Sequence, residues 1–436
     1  MLSAFRSALT TPDLRKKILF TLGVVAVYRL GANIPSPGVS FPNVQQCIAA
    51  VEGGANSGVY SLINLFSGGA LLQLSILALG IMPYITASII VQLLTVVIPR
   101  FEQLKKEGQS GQAKLTQYTR YLTIALAILQ ATGIVALAVR GVLFQGCNVP
   151  VIPDQSIFTL AVMVIVMTAG CAVVMWLGEQ VTERGIGNGM SLLIFASIAH
   201  RIPAEGKNIL DSSGGLVFAG VCVFGLAIIA SVVFVEQGQR RIPVQYAKRM
   251  VGRRMYGGTS TYLPLKVNQA GVIPVIFGSS LLYLPSLIAQ LAGSGDSWFQ
   301  RFVATYLVDQ SNWLHIVLYV ALIIFFTYFY VGITFSPEER ADEMKKFGGF
   351  IPGIRPGRPT AEYLNFVLSR ITLPGSLYLG VIAVLPNFFL GITGSGQNQN
   401  FPFGGTAVLI MVGVGLDTVK QIESQLMQRN YEGFLR

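Results

Sequence analysis

Charge is what this sequence has least of. Only 12% of its 436 residues are Asp, Glu, Lys or Arg, where a water-soluble domain carries about a quarter. So little charge cannot cover a water-facing exterior, which excludes a soluble globular enzyme. Histidine is almost missing. His200 and His315 stand near expected outer helix ends, without partners at metal-ligand spacing, and read as polar interfacial residues. There is no phosphate loop: Gly108-Gln109-Ser110-Gly111-Gln112-Ala113-Lys114 has the wrong spacing. Gly185-Ile186-Gly187-Asn188-Gly189 follows no strand and reads as a tight turn opening a helix. With no nucleophile triad or carboxylate pair, neither enzymatic chemistry nor a cofactor nor a metal is expected. Cysteine is sparse. Cys171 and Cys222 fall in apolar runs as packing residues, while the spacing of Cys47 and Cys147 leaves open whether they pair.

What is there instead is apolar, in long runs. Hydrophobic residues make up 52% of the chain and the mean hydropathy is +0.60. Crossing a hydrocarbon core takes roughly 20 mostly apolar residues. The pattern predicts ten spans, at about 17–33, 71–98, 118–139, 156–178, 188–201, 216–236, 268–291, 313–334, 374–392 and 404–422, the fifth short and the ninth broken by Pro386. The N-terminal run lacks a cleavage site after Gly31-Ala32-Asn33-Ile34-Pro35, so it is expected to stay as the first span. Ten spans place 26 of the 31 Lys and Arg residues on one face and 4 on the other, with Arg29 near the outer end of the first span. By the positive-inside rule both termini are cytoplasmic.

Two hexads repeat: Gly80-Ile81-Met82-Pro83-Tyr84-Ile85 in span two and Gly271-Val272-Ile273-Pro274-Val275-Ile276 in span seven. Five spans apart and oppositely directed, they predict an inverted repeat whose Gly/Pro-interrupted spans mark the functional centre. The fold class expected is an all-α polytopic membrane protein of ten transmembrane helices, built as two inverted five-helix halves. The halves are 1–203, with a re-entrant segment at 57–69 between glycine hinges, and 204–436, with basic cytoplasmic loops at 237–267 and 335–372. Glu179, Glu236 and Asp417 sit near cytoplasmic helix ends and span centres are uncharged. Proton-coupled transport needs ionisable groups near the midplane, which weighs against the alternative, an inverted-repeat secondary transporter. A membrane protease would need clustered Ser, His, Asp or metal ligands. Ile81 and Ile85 share one helix face, as do Met190 and Ile194. Such residues either pack neighbouring helices or ring an apolar constriction that resists ions by dewetting.

The stretches Asn64-Leu65-Phe66-Ser67-Gly68-Gly69-Ala70, Ala78-Leu79-Gly80-Ile81-Met82-Pro83-Tyr84-Ile85-Thr86-Ala87-Ser88, Glu183-Arg184-Gly185-Ile186-Gly187-Asn188-Gly189 and Leu263-Pro264-Leu265-Lys266-Val267-Asn268 resemble the SecY family, the channel-forming subunits of the bacterial Sec protein translocase. The resemblance runs from about Pro12 to the C-terminus. It implies that the two halves form a clamshell around a central pore, a protein-conducting channel of the bacterial plasma membrane that passes unfolded secretory polypeptides and releases transmembrane segments into lipid. It implies a pore ring of Ile81, Ile85, Met190, Ile194, Ile276 and Ile410, in which Met190 replaces the more usual isoleucine. It implies a plug containing Tyr60, Leu62, Ile63, Asn64, Leu65 and Phe66. A lateral gate between spans two and three and spans seven and eight would carry Thr86, Gln130 and Asn268. Arg240, Arg241, Lys248, Arg249, Arg253, Arg254, Arg355 and Arg358 would dock the ribosome and the motor ATPase SecA. SecE and SecG subunits, signal peptides, nascent secretory or membrane proteins and membrane lipids complete the implied partners.

Overall fold

The computed structural model describes residues 10–51, 69–139, 141, 147, 149–246, 249–251, 254–256, 260–291, 302–308, 312–392 and 405–433. α1 (Pro12–Ala32) opens with proline and Asp13 in its first turn, where a missing N–H is harmless and a negative charge faces the helix dipole. α2 (Phe41–Val51) follows outside the span. Span two departs from expectation. Residues 69–81 form turns rather than helix, and α3 covers only Met82–Val97. Leu74 and Gly80 adopt left-handed backbone (φ 45° and 54°). Pro83, which has no N–H to give, suits a helix's first turn and so fixes where the helix starts. The turn segment is instead satisfied laterally, by Ser36 N–H donating to the Leu74 carbonyl and Ile76 N–H to that of Ile34.

Pro99 holds Ile98 extended, so α4 (Pro99–Lys106) leaves α3 at 101°. α5 (Gln109–Val139) and α6 (Ile157–Arg184, capped by Ser156) are long apolar helices. α7 runs Gly189–Gln237, capped by Asn188. The expected connection at 202–215 is thus helical, even through Pro203, and the break falls at Gly214 (φ 80°).

In the second half, the loop expected at 237–267 is a sheet. β1 (Gln239–Tyr246) pairs antiparallel with β4 (Ser260–Lys266), and β2 (Arg249–Val251) with β3 (Arg254–Tyr256). β1 alternates by side: Ile242 and Val244 are buried while Arg241, Pro243 and Gln245 are exposed, the period-two signature of a half-buried strand. α8 (Ile273–Leu291), a π-turn at 303–308 and α9 (Trp313–Thr334) follow. The 335–372 loop holds α10 (Pro337–Lys346) and β5 (Gly349–Phe350), which joins β1. α11 runs Arg358–Ile392 without the interruption expected at Pro386, and α12 spans Gly405–Gly433. By length and apolarity alone, five described helices can cross a membrane, or six if α3 and α4 count together. α1, the first part of α7, α8 and α12 map onto the other four expected spans.

The repeat is visible in the packing. Gly271 (φ 62°) precedes α8 as Gly80 precedes α3. In the first half the irregular lead-in crosses a glycine of α6: a Cβ on Gly170 would lie 1.8 Å from the Ile76 carbonyl oxygen. In the second half the lead-in crosses a glycine of α11, where a Cβ on Gly375 would lie 2.4 Å from the Val267 carbonyl oxygen. α6 and α11 are spans four and nine, again five apart. Small residues let backbones approach where lipid supplies no hydrophobic force between helices.

Apolar side chains also face outward, Leu216 at 89% and Ile157 at 88% exposure, as a lipid solvent permits. Thr119, Thr123, Thr327 and Thr372 donate to carbonyls four residues back, which satisfies their hydroxyls where no water is available. His315 departs from its interfacial reading. It is buried, with Nδ1 2.7 Å from the Leu307 carbonyl. Cys47 and Cys147 form a disulfide, with Cα atoms 5.3 Å apart. Asn43 Nδ2 donating to the Pro150 carbonyl and Ser40 N–H donating to that of Val151 hold α2 against the same segment. Cys171 is a buried packing residue as expected, while Cys222 is half-buried.

Candidate functional site

All six proposed ring residues come from sequence far apart and meet in one apolar cluster. Ile81 stands at the start of α3, with Ile85 one turn in. Met190 and Ile194 lie in the first two turns of α7, Ile276 in the first turn of α8 and Ile410 in α12. Five are buried and Ile85 is half-buried against them. The cluster draws on both halves of the chain. It also contains Tyr28, Leu77, Val174, Leu193 and Ala407, which sequence reasoning missed. Tyr28 had a signal: a tyrosine inside a span needs a partner. Its hydroxyl lies 2.9 Å from Ser197 Oγ, tying α1 to α7. Two glycines set the position of Met190. A Cβ on Gly178 would come 2.4 Å from Met190 Sδ, and one on Gly189 would lie 1.9 Å from the Gly178 carbonyl oxygen. α6 and α7 therefore cross in near-backbone contact beside the ring.

The three polar residues assigned to the gate do not hydrogen-bond to one another in the described structure. Thr86 donates to the Met82 carbonyl in its own helix, and Gln130 is half-buried on α5. Asn268 is buried, and its Nδ2 donates to Glu236 Oε1 and to the Gly271 carbonyl. Its neighbours are thus the end of α7 and the lead-in to α8, against Gly375 of α11. Helices α3 and α5 do pack together, and both touch α8.

On the polar side, Arg240 and Arg241 project exposed from β1, and Arg355 and Arg358 are exposed after β5. The β1–β5 pairing brings these two loops onto one sheet. The Arg355 carbonyl accepts from Thr360 Oγ1, and the Arg358 guanidinium reaches Glu362. Arg249 and Arg254 lie in β2 and β3. Lys248 and Arg253 lie outside the described residues, as do all six plug residues from Tyr60 to Phe66. Charge here is paired across helices too. Arg120 of α5 makes a bidentate pair with Glu179 of α6 at 2.9 and 2.8 Å. On α4, the hydrogen bond from Lys106 holds the Glu102 carboxyl below the usual carboxylate range.

A family model described as SecY matches residues 75–419. The chain is 75% identical over 441 residues to "Protein translocase subunit SecY" of Mycobacterium bovis, covering all of both chains. It is 73% identical over 441 residues to the protein of the same name from Mycobacterium leprae, again at full coverage of both. Its fold is similar to the solved structure titled "The structure of a protein conducting channel", with a TM-score of 0.63 at 18% identity, covering 94% of this chain and 91% of that one.

Proposed function

The chain belongs to the SecY family, and from that premise we propose that it is a protein-conducting channel, passing unfolded secretory polypeptides across the bacterial plasma membrane and releasing transmembrane segments sideways into lipid. The observation that carries this reading is the waist: aliphatic side chains from four helices of both halves converge in one buried, uncharged cluster. A narrow apolar constriction excludes water and ions while no polypeptide fills it, and flexible aliphatic side chains can reseal around chains of any sequence. Met190, the softest member, conforms to the same task.

In this reading segment 57–69 covers the waist from outside, and the seam between α3/α5 and α8/α9 opens toward lipid. The arginines of β1 and of the segment after β5 meet the ribosome and SecA, for which planar guanidinium groups suit both phosphate and carboxylate. SecE and SecG brace the clamshell, and signal peptides enter the seam. Both termini are cytoplasmic, in line with the 26 basic residues on that face. The secondary-transporter alternative has no support from the relatives, whose printed names are those of a protein translocase subunit.

Planar-bilayer recording tests the waist. A variant with Ile85→Ser and Ile276→Ser and residues 57–69 deleted will conduct ions without substrate, while the parent protein is nearly silent. A folded, inserted variant that stays silent would make these isoleucines packing residues and overturn the pore ring.

A further inference from the structure

Among the described residues, a lysine of the first half bonds to the second half at the cytoplasmic edge of the seam. Lys105 of α4 donates from Nζ to the Ile333 carbonyl, 3.0 Å away and 228 residues along the chain. That carbonyl lies in the last turn of α9 and has no helical donor. The N–H it would use belongs to the fourth residue on, which is Pro337. An orphan carbonyl at the negative end of a helix dipole is where a lysine is best placed.

Both ends of this contact are rigidly attached. Leu104 and Phe101 seat α4 on Val91 of α3 and Leu115 of α5, and the Phe101 ring meets that of Tyr118 at a tilt, 5.3 Å between centroids. α9 is locked to α8 through Phe277, which meets Phe326 edge-on at 5.5 Å and Tyr330 at 6.4 Å. Movement of α3 and α5 away from α8 and α9 would therefore break the Lys105–Ile333 bond. Its neighbour Lys106 pairs with Glu102 and feels the Glu339 carboxylate of α10, so α4 also faces the helix that follows α9.

We propose that Lys105 is a positioning residue for the translocation reaction: its bond to the Ile333 carbonyl is the cytoplasmic latch of the seam, released when the seam opens. The inference rests on the seam reading given above. The contact is exposed, so its weight is modest and suits a latch that a signal peptide can displace.

The test uses the full translocase, with variants compared at equal membrane amounts. Lys105→Met removes the donor and keeps the apolar stem, while Lys105→Arg keeps a donor. Passage of a reporter lacking a functional signal sequence should rise about two- to fivefold with Lys105→Met and stay near the parent with Lys105→Arg. Lys17→Met is the control. It removes another bond between the halves, Lys17 Nζ to Gln425 Oε1 at 3.3 Å, at the α1–α12 contact, and should leave passage unchanged. Unchanged passage with Lys105→Met, equal rises with Met and Arg, or an equal rise with Lys17→Met would overturn the latch. The seam is tested separately. In a background with Cys171→Ala and Cys222→Ala, a crosslink between Thr86→Cys and Ile276→Cys must block transport. If it forms and transport continues, the seam itself is misplaced.

Discussion

Glycines 178 and 189 show how one missing methyl group positions a site. They sit at the same helix crossing, yet their surroundings differ in kind. A side chain on Gly178 meets the flexible thioether of Met190, which can swing away, whereas one on Gly189 meets the backbone carbonyl of Gly178. Moving backbone means separating α6 from α7. Gly189→Ala should therefore cost about 3 kcal/mol and Gly178→Ala about 1 kcal/mol, the two ends of the range for overpacking. Thermal unfolding of the purified protein in detergent will show the larger drop for Gly189→Ala, and equal drops would mean that the crossing relaxes freely. The sequence displayed both glycines but not their difference, because which atoms lie opposite a residue is a property of two helices together.

Elements are where the sequence pattern ran ahead of, and sometimes behind, the structure. The hexads around Pro83 and Pro274 were legible as a repeat. Their effect, an irregular lead-in ending at a left-handed glycine with the helix beginning beside the proline, was not, because an apolar run of span length looks helical whether or not it is. Span two carried such a run over residues 71–81, and lateral backbone bonds to 34–36 replaced the helix there. The sheets built from β1 to β5 were missed for a related reason. β1, β2 and β3 carry arginines, and a basic loop looks alike in sequence whether or not it contains a half-buried strand such as the alternation of Ile242 and Val244. That distinction yields a paired prediction. Ile242→Asp puts a charge on the buried side of β1, so it should open the sheet to limited proteolysis and abolish SecA-driven transport. Arg355→Glu should impair transport as strongly while the proteolytic pattern stays that of the parent. Normal transport with Arg355→Glu would remove that arginine from the docking face.

At the scale of the whole molecule, topology and covalent structure can be checked against each other. On the basic-residue count loops 34–70 and 140–155 are expected outside, and the structure joins Cys47 to Cys147 between those two loops. Disulfides persist on the oxidising side of a membrane, so the two observations support one orientation. The bridge closes a loop with a sequence separation of 100 residues. Chain entropy sets about 5 kcal/mol as the ceiling for such a loop, and less where spans stay inserted after denaturation. Peptide mapping of the membrane-resident protein without reductant should recover a linked Cys47–Cys147 pair. Reduction should lower the thermal midpoint without extracting the protein from the membrane. Alkylation of both cysteines without prior reduction would refute the bridge and weaken the orientation with it.

By itself the sequence determined the solvent, the number of crossings and the five-span offset of the repeat. Each of these depends on summed hydropathy or on charge counted along the chain, and such sums survive ignorance of every contact. Only the tertiary structure decided that six aliphatic residues spread over 330 positions share one cluster, and that Asn268 turns toward Glu236. It alone showed that Lys105 finds a carbonyl left open by a proline in the other half. Those facts depend on which helix faces rotate toward one another. In lipid that choice is made by close packing of small residues and by satisfying single polar groups, neither of which leaves a periodic trace in the order of residues along one helix.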